Sequence, residues 1–380
     1  MRVGVPSETE IYERRVAMVP DVVARLVKKS HEVTVQAGAG AACWFDDDTY
    51  LAKGAQVAAD AAAAFSSGEL ICKVQPPSVD EVALIPPGTA LISFLQPTFQ
   101  LELVRRLAEA RVTAFSLDLL PRISRAQAMD ALSSQATVSG YMAALLAAQR
   151  LGRFFPMFMT AAGTVPPAKV LVMGAGVAGL QAIATARRLG AVVRAYDVRP
   201  AAAEEVRSLG AKFVELPLEA QEGSGGYAKE QSEEFLTRQR EMLTAEVAAA
   251  DAVITTAAIP GRRAPVLVTK EMVAAMAPGA VIVDLAAETG GNVELSEPGE
   301  ELIRDGVLII GARNMPSSMP VHASFLLARN MAEFIGLASR DGAFALDFND
   351  EIISGTCVTH DGKVLHGPTR ELLETGVATS

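Results

Sequence analysis

The stretch VLVMGAGVAGLQAIATARRLGAVVRAYDVR, residues 170–199, decides the fold of this chain. It opens with an apolar run over residues 170–173 that is short enough to be a buried parallel strand. A G-x-G-x-x-G turn over residues 174–179 follows, then a helical pattern, and then a second apolar run that ends at Asp197. Strand, glycine turn, helix, strand and acid in this order predict a Rossmann βαβ unit that binds a dinucleotide.

Each glycine of the turn has a separate role in such a unit. Gly174 permits the tight turn, Gly176 lets a pyrophosphate approach the backbone, and Gly179 lets the helix pack closely on the strand. The amides at the helix start and the helix dipole attract phosphate groups. The predicted pyrophosphate site therefore comprises Gly174, Ala175, Gly176, Val177, Ala178 and Gly179. The alternative is a glycine-rich turn in an ordinary α/β protein, and the agreement of the flanking elements argues against it.

Asp197 is the acid of this unit. It follows the last glycine at close to the spacing of about 20 residues expected for the carboxylate that binds the ribose 2′-hydroxyl. A carboxylate there would repel a 2′-phosphate, which favours NAD(H) over NADP(H). Arg199 is able to reduce that preference, but the expectation is that it faces solvent or caps a loop.

Composition favours a two-domain α/β protein. The chain has 380 residues, of which 50% are hydrophobic and 5% aromatic, as is typical of helices packed on parallel sheets. The net charge of −10 argues against nucleic acid as a partner. The three cysteines and four histidines are scattered, which predicts thiols in a reducing compartment and no zinc site. No signal peptide is expected, and no apolar run reaches the roughly 18 residues needed to cross a bilayer.

Alternating apolar runs and helical patterns predict two Rossmann-like domains with parallel sheets. We assign residues 1–135 plus 335–380 to a discontinuous first domain and residues 136–334 to the NAD(H)-binding domain. Long helices are expected to join the two domains around an interdomain cleft, because ligands tend to bind at such junctions.

Three local patterns lead to further expectations. Residues 15–28 have the apolar spacing of one helix. Residues 160–167, TAAGTVPP, are typical of a small-residue linker. Residues 219–234 indicate a polar insertion, either a mobile functional loop or a solvated connection, with Tyr227 expected to fold over a ligand.

Residues 121–135, PRISRAQAMDALSSQ, are too polar for a simple core helix. Gln127, Asp130 and Ser133 recur every three residues and can share one helical face, with Arg122 earlier in the segment. A solvated helix surface is the plain alternative. The segment, however, runs into a long alanine-rich helix, residues 139–151, which places it at the predicted domain junction.

Motifs along the whole chain resemble one family. PRISRAQ-x-MD-x-LSSQ, MTAAGTVPPA with the glycine turn, GGYAKE, TTAAIPG and SGTCV together resemble the NAD(H)-binding domain I of proton-translocating nicotinamide nucleotide transhydrogenase. The resemblance implies a homodimer without a membrane span, peripheral to the cytoplasmic side of the inner membrane. It also implies hydride transfer between its NAD(H) and NADP(H) on a partner component, coupled to proton translocation by membrane-spanning subunits.

The resemblance further implies which residues hold the cofactor. Arg122, Gln127, Asp130 and Ser133 match the family's segment that holds the nicotinamide, its ribose and its carboxamide, and they are the predicted catalytic residues. Tyr227 matches a tyrosine of the family's mobile loop. Beside the glycine turn, the predicted cofactor-binding positions are Asp197, Val198, Arg199, Thr256 and Ala257.

A more distant resemblance is to alanine dehydrogenase. Arg15 and Lys73 resemble that family's substrate-binding arginine and lysine. Gln96 and Glu288, however, stand near the positions of its catalytic histidine and aspartate. Oxidation of an amine needs a titratable base, which glutamine cannot provide, whereas hydride transfer between two nicotinamides needs positioning and exclusion of water. The sequence thus favours transhydrogenation, with a structural role for Arg15 and Lys73.

Two other functions stay open at this point. A stand-alone amino-acid dehydrogenase of the alanine dehydrogenase type would reduce NAD with an amino acid and no other protein. A non-catalytic NAD(H)-sensing module would bind NADH tightly without transferring a hydride.

Overall fold

The structure, a computed structural model, describes residues 1–215, 233–258 and 263–375, so that Tyr227 lies outside the described residues. It divides into two compact units. Unit 1 comprises Met1–Gln135 and Ser317–Ser380, and unit 2 comprises Ala136–Pro316. Residues 317–334, which the sequence assigned to the nucleotide-binding domain, therefore group with unit 1.

The helices and strands are numbered in chain order. Up to residue 150 they are β1 Arg2–Val5, α1 Pro20–Lys28, β2 Glu32–Gln36, α2 Asp47–Ala52, β3 Gln56–Ala58, α3 Ala61–Ser67, β4 Leu70–Cys72, α4 Val79–Val82, β5 Ala90–Ser93, α5 Leu101–Glu109, β6 Thr113–Ser116 and α6 Ala131–Arg150. Unit 2 continues with β7 Phe158–Thr160, β8 Gly163–Val165, β9 Lys169–Met173, α7 Val177–Arg188, β10 Val192–Tyr196, α8 Ala202–Ser208, β11 Lys212–Phe213, α9 Glu233–Ala248, β12 Ala252–Thr255, α10 Lys270–Ala274, β13 Val281–Asp284, β14 Glu301–Arg304 and β15 Val307–Gly311. The last elements are α11 Pro320–Leu337, β16 Ser339–Arg340, β17 Ala343–Phe344, α12 Glu351–Thr356, β18 Cys357–His360, β19 Lys363–Val364 and α13 Gly367–Thr375.

Unit 1 contains an eight-stranded sheet in the order β19-β18-β6-β5-β4-β1-β2-β3. The strands from β6 to β3 pair in parallel, and β18 and β19 extend the β6 edge in antiparallel fashion. The chain reverses direction along the sheet between β1 and β4, which is the switch-point arrangement of a doubly wound fold.

Unit 2 contains a seven-stranded sheet in the order β11-β10-β9-β12-β13-β15-β14, parallel except for the edge strand β14. Its central strand β9 is buried on both faces. Val170 and Val172 of β9 pack in the cluster that contains Ile183 of α7, while Leu171 and Met173 pack in the cluster on the other face. The two parallel-rich sheets confirm the predicted α/β class.

The helix predicted for residues 15–28 begins only at Pro20. Proline fits the first turn of a helix because it lacks the N–H that would otherwise be unsatisfied, whereas inside a helix it breaks the hydrogen-bond ladder. The preceding residues are not helical, although Val16 and Met18 are fully buried. Their apolar spacing reflects packing of irregular chain, so the sequence prediction was wrong for residues 15–19.

The linker predicted for residues 160–167 contains a strand instead. β7 and β8 form an antiparallel hairpin in which Thr160 lies opposite Gly163. Gly163 has a φ of 127°, which favours glycine and allows the chain to reverse. No helix within the described ranges is both long and apolar enough to cross a lipid bilayer.

Candidate functional site

The glycine turn joins β9 to α7 at the switch point of the unit 2 sheet. Gly174 has a φ of 101°, and a Cβ atom built on it would lie 2.6 Å from Oγ1 of Thr256. The Thr256 hydroxyl in turn donates a hydrogen bond of 3.1 Å to the Gly174 carbonyl. Both the backbone conformation and the lack of space therefore require glycine at residue 174.

Helix α7 begins immediately after Gly176, and no side chain caps it. A Cβ atom on Gly176 would have no neighbour within 4 Å among the described residues, so there is free space beside the turn. Val177 is exposed and Ala178 half-buried. The first turn of the helix thus presents backbone N–H groups that an anion can approach.

Gly179 lies where α7 crosses the turn. A Cβ atom on it would overlap the carbonyl oxygen of Gly174. A further glycine, Gly140 of α6, makes an equally close approach to the carbonyl of Ala178. Sequence reasoning missed Gly140, whose only local signal is a glycine inside an alanine-rich helix, where it costs stability unless close packing requires it.

Asp197 and Arg199 close the other side of the turn. Oδ2 of Asp197 accepts a hydrogen bond of 2.7 Å from the backbone N–H of Ala175. The guanidinium group of Arg199 contacts both carboxylate oxygens and donates a bond of 3.2 Å to the Ala175 carbonyl. Arg199 is only 20% exposed, so it links the two loops and does not face solvent as one sequence expectation had it. Val198, between the pair, is half-buried.

A buried polar network holds the loop that carries Thr256 and Ala257. Asn292, fully buried, donates to the Ala257 carbonyl at 2.8 Å and accepts from the Ala257 N–H at 2.9 Å. The buried carboxylate of Asp284 accepts from the backbone N–H of Asn292 and from the hydroxyls of Thr255 and Ser296. Sequence reasoning missed Asp284 and Asn292 because their partners lie on different loops.

In unit 1, the segment with the other predicted site residues consists of two elements rather than one helix. A 3-10 helix spans Ser124–Met129, and α6 begins at Ala131. Gln127 and Arg122 are exposed, whereas Met129 is buried. The single helical face predicted from the spacing of residues 127, 130 and 133 is therefore wrong, because the helix changes type at Asp130.

Asp130 is the N-cap of α6. Its Oδ1 accepts from the backbone N–H of Ser133 at 2.9 Å, and its Oδ2 accepts from the Ser133 hydroxyl at 2.6 Å. Its own carbonyl accepts the first helical bond, from the N–H of Ser134. Asp130 and Ser133 therefore have a structural function, helix capping, whatever they bind in addition.

Arg15 and Lys73 are both buried and paired with carboxylates. Arg15 forms a bidentate pair with Glu13 at 2.8 and 2.6 Å and donates to Gln135 at 2.8 Å. Lys73, which is 1% exposed, lies 3.1 Å from Glu81 and 3.4 Å from Glu8. Burial raises the pKa of Glu8, an effect that the charge of Lys73 opposes. This geometry supports the structural role expected for both cations.

Gln96 and Glu288 differ in their surroundings. Gln96 is exposed and has a φ of 45°, and its backbone N–H donates to Asp118 at 2.8 Å. Glu288 accepts from the backbone N–H of Asn314 at 2.9 Å. The amide side chain of Gln96 offers no proton-accepting base.

The fold and the glycine turn define a two-domain α/β protein with a Rossmann-type nucleotide-binding unit. The model of the alanine dehydrogenase/PNT N-terminal domain matches residues 4–139, and that of the C-terminal domain matches residues 143–367. The chain belongs to the alanine dehydrogenase/PNT family, which confirms the resemblance found in its motifs.

Named relatives fall on both branches of this family. The first of the separate polypeptides of NAD(P) transhydrogenase subunit alpha from Rhodospirillum rubrum is 48% identical over 376 residues, 96% of this chain and 98% of that protein. The crystal structure of transhydrogenase from Sinorhizobium meliloti is 44% identical with a TM-score of 0.88, covering 96% of this chain and all of that one. The alanine dehydrogenase of Mycolicibacterium smegmatis is 31% identical over 375 residues, 96% of this chain and 95% of that protein.

Proposed function

We propose that this chain is the NAD(H)-binding subunit of a proton-translocating NAD(P)⁺ transhydrogenase. The observation that carries the proposal is the contrast between its two candidate sites. The glycine turn of unit 2 is formed and sterically open at Gly176, whereas the cations that would bind an amino acid, Arg15 and Lys73, are already neutralised by buried glutamates. The site thus suits a nucleotide and does not suit an amino-acid carboxylate.

The described residues fit NAD(H). The uncapped start of α7 suits a pyrophosphate, the space beside Gly176 allows close approach, and Asp197 offers carboxylate oxygens to a ribose. When bound, NAD(H) supplies the carbon that gives or accepts the hydride. The chain's own residues bind and orient it. Arg122, Gln127, Asp130 and Ser133 are proposed to position the nicotinamide and its carboxamide, and Thr256 and Ala257 line the glycine turn.

Direct hydride transfer between two nicotinamides moves no proton at the reacting carbons. The protein therefore needs to hold the two rings about 3–3.5 Å apart and to keep water out. An exposed Gln96 in place of a base is consistent with that requirement. The second ring belongs to NADP(H) on a partner component, and transfer is re/si-specific.

The assembly follows from the same proposal. The chain acts as a homodimer on the cytoplasmic face of the inner membrane, where NADP(H)-binding and membrane-spanning subunits hold it and couple hydride transfer to proton translocation. Named relatives of this chain are alpha subunits of NAD(P) transhydrogenase, which supports a multi-subunit enzyme.

Reconstitution tests the proposal. Membranes carrying the partner subunits are stripped of peripheral proteins, the purified chain is added back, and hydride transfer from NADPH to an NAD⁺ analogue with shifted absorbance is followed. Activity is expected only when the chain is present. No recovery by a chain that binds NADH would contradict the proposal and favour the sensing module, and NAD reduction by L-alanine without membranes would favour the dehydrogenase.

Two arginines of one segment provide a matched pair for this assay. Arg122 and Arg125 are both exposed, but Arg125 forms an ion pair with Asp350 and has no proposed cofactor role. Arg122→Ala is expected to slow hydride transfer by on the order of tenfold, which corresponds to about 1.4 kcal/mol of transition-state stabilisation. Arg125→Ala is expected to leave the rate unchanged.

A further inference from the structure

Asn330, on α11, joins that helix to the segment that carries Gln127. It is 8% exposed, and its Nδ2 donates a hydrogen bond of 2.8 Å to the carbonyl of Ala128. Only the amide nitrogen can donate to a carbonyl, so this contact fixes the orientation of the side chain. The 3-10 helix of residues 124–129 is thus bonded at its penultimate residue to a distant part of unit 1.

The other end of the same amide is unsatisfied. Oδ1 of Asn330 is buried, and no donor among the described residues reaches it. A buried acceptor without a partner is unfavourable. The surroundings are apolar, since Leu327, Met331 and Phe334 of the same helix belong to the unit 1 core. Stability alone would therefore favour an apolar residue at position 330 over asparagine.

The segment rests on α11 through its apolar side chains as well. Ala126 and Met129 are buried in the core cluster that includes Leu327 and Met331. Gln127, between them, is exposed. A helix of the 3-10 type is short and weakly bonded within itself, so its position depends on such external contacts. The Asn330 bond is the polar contact that sets where the backbone around Gln127 lies.

We propose that Asn330 is a positioning residue that holds the backbone of residues 124–129 so that Gln127 and Arg122 meet the nicotinamide. This inference rests on the proposed function. It explains why a polar residue with a half-satisfied amide occupies a core position: the donated bond orders the segment, and the lost bond is its cost.

The test compares Asn330→Leu and Asn330→Asp with Ser324→Ala. Neither leucine nor a carboxylate can donate to Ala128. Ser324 lies on the same helix and accepts from the backbone N–H of Val16, away from the segment, so its loss controls for damage to α11. The readouts are the unfolding temperature, the Kd for ADP-ribose, the Kd for NADH, and the rate of hydride transfer in the reconstituted assay.

Asn330→Leu is expected to keep the unfolding temperature and the Kd for ADP-ribose, to reduce the advantage of NADH over ADP-ribose, and to slow hydride transfer by on the order of 10²-fold, the cost of an ångström-scale misplacement. Asn330→Asp is expected to show the same loss, which keeps the test valid if the leucine variant folds poorly. Ser324→Ala is expected to lower the unfolding temperature and keep the rate.

A leucine variant that keeps both the rate and the NADH advantage would overturn the inference. Equal loss of rate in Ser324→Ala would also overturn it, because the effect would then be one of helix stability. If the parent chain binds NADH but transfers no hydride, the proposed function fails, and the ratio of the two Kd values alone decides the role of Asn330.

Discussion

The guanidinium group of Arg199 binds both carboxylate oxygens of Asp197, with Nε 2.9 Å from Oδ1 and Nη2 3.1 Å from Oδ2. The carboxylate that is predicted to select against a 2′-phosphate is therefore already neutralised by a neighbour two residues away. Selectivity for NAD(H) depends on the pair, because a guanidinium released from Asp197 would itself attract a phosphate.

Asp197→Asn is accordingly expected to do more than weaken NADH binding. The amide binds Arg199 less strongly than the carboxylate does, so the guanidinium becomes available to the 2′-phosphate of NADPH. We expect NADH affinity to fall and NADPH affinity to rise, each by roughly tenfold, or about 1.4 kcal/mol. Isothermal titration with both nucleotides measures this. The double variant Asp197→Asn with Arg199→Gln should lose the gain, and equal NADPH binding by the single and double variants would rule out the role of Arg199.

Gly176 and Gly179 provide a contrast within one turn. Alanine at 176 meets no neighbour, whereas alanine at 179 overlaps the Gly174 carbonyl. Gly176→Ala is expected to keep the parent's unfolding temperature and to weaken NADH binding, because the methyl group occupies the space that a pyrophosphate needs. Gly179→Ala is expected to destabilise unit 2 by about 1–3 kcal/mol through overpacking. Thermal unfolding and NADH titration of both variants separate the two effects, and an unstable Gly176→Ala would contradict the assignment.

Asp130 combines a cap with a proposed cofactor contact, and two substitutions separate these roles. Asparagine caps helices about as well as aspartate, whereas alanine does not. Asp130→Ala is expected to lower the free energy of unfolding by about 1 kcal/mol. Asp130→Asn should retain stability yet slow hydride transfer more than it weakens NADH binding. If the asparagine variant keeps the parent rate, Asp130 is a cap and nothing more.

Glu8 predicts a dependence of stability on pH. Burial raises its pKa in the folded chain above the ordinary value of 4.5. The folded state then holds a proton that the unfolded state has lost, so stability falls as pH rises from 4.5 through the raised pKa. The Glu8→Gln variant lacks this loss. Its free energy of unfolding relative to the parent should rise across that window by about 1.4 kcal/mol for each unit between the folded and unfolded pKa.

Urea unfolding of the parent and of Glu8→Gln between about pH 4 and 8 measures this difference across the range in which the carboxyl titrates. Glu102→Gln is the control, since Glu102 is half-exposed on α5 and pairs with Arg105 at the surface. A constant difference between Glu8→Gln and the parent over the whole range would show that the buried carboxyl titrates normally.

Local chemistry explains what the sequence predicted well. Gly174 and Gly179 are required by backbone conformation and by contacts within one βαβ unit, so their spacing alone indicates the turn. The fold class followed from the same unit and from alternating elements elsewhere. The start of α1 at Pro20 was also visible as a proline signal, but the apolar spacing of residues 15–19 concealed it.

Contacts between distant residues explain what the sequence did not predict. Asp284 binds Thr255, Asn292 and Ser296 from separate loops, and Asn330 reaches Ala128 from a part of the chain 202 residues away. Neither residue stands in a repeating pattern. The ion pairs of Lys73 are likewise invisible to periodicity, because a buried lysine and an exposed one have the same letter. Such partners become evident only when the fold brings them together.

The return of β18 to the edge of β6 has a consequence for how the chain is made. During synthesis, β6 leaves the ribosome long before its neighbour, Cys357–His360, exists. Unit 2 is continuous in sequence, so it can acquire its structure while β6 still presents an open edge. That edge is a site where nascent chains can pair wrongly with one another. Closure of the unit 1 sheet is thus a late step, and conditions that slow it, such as high expression, favour aggregation of an otherwise sound sequence.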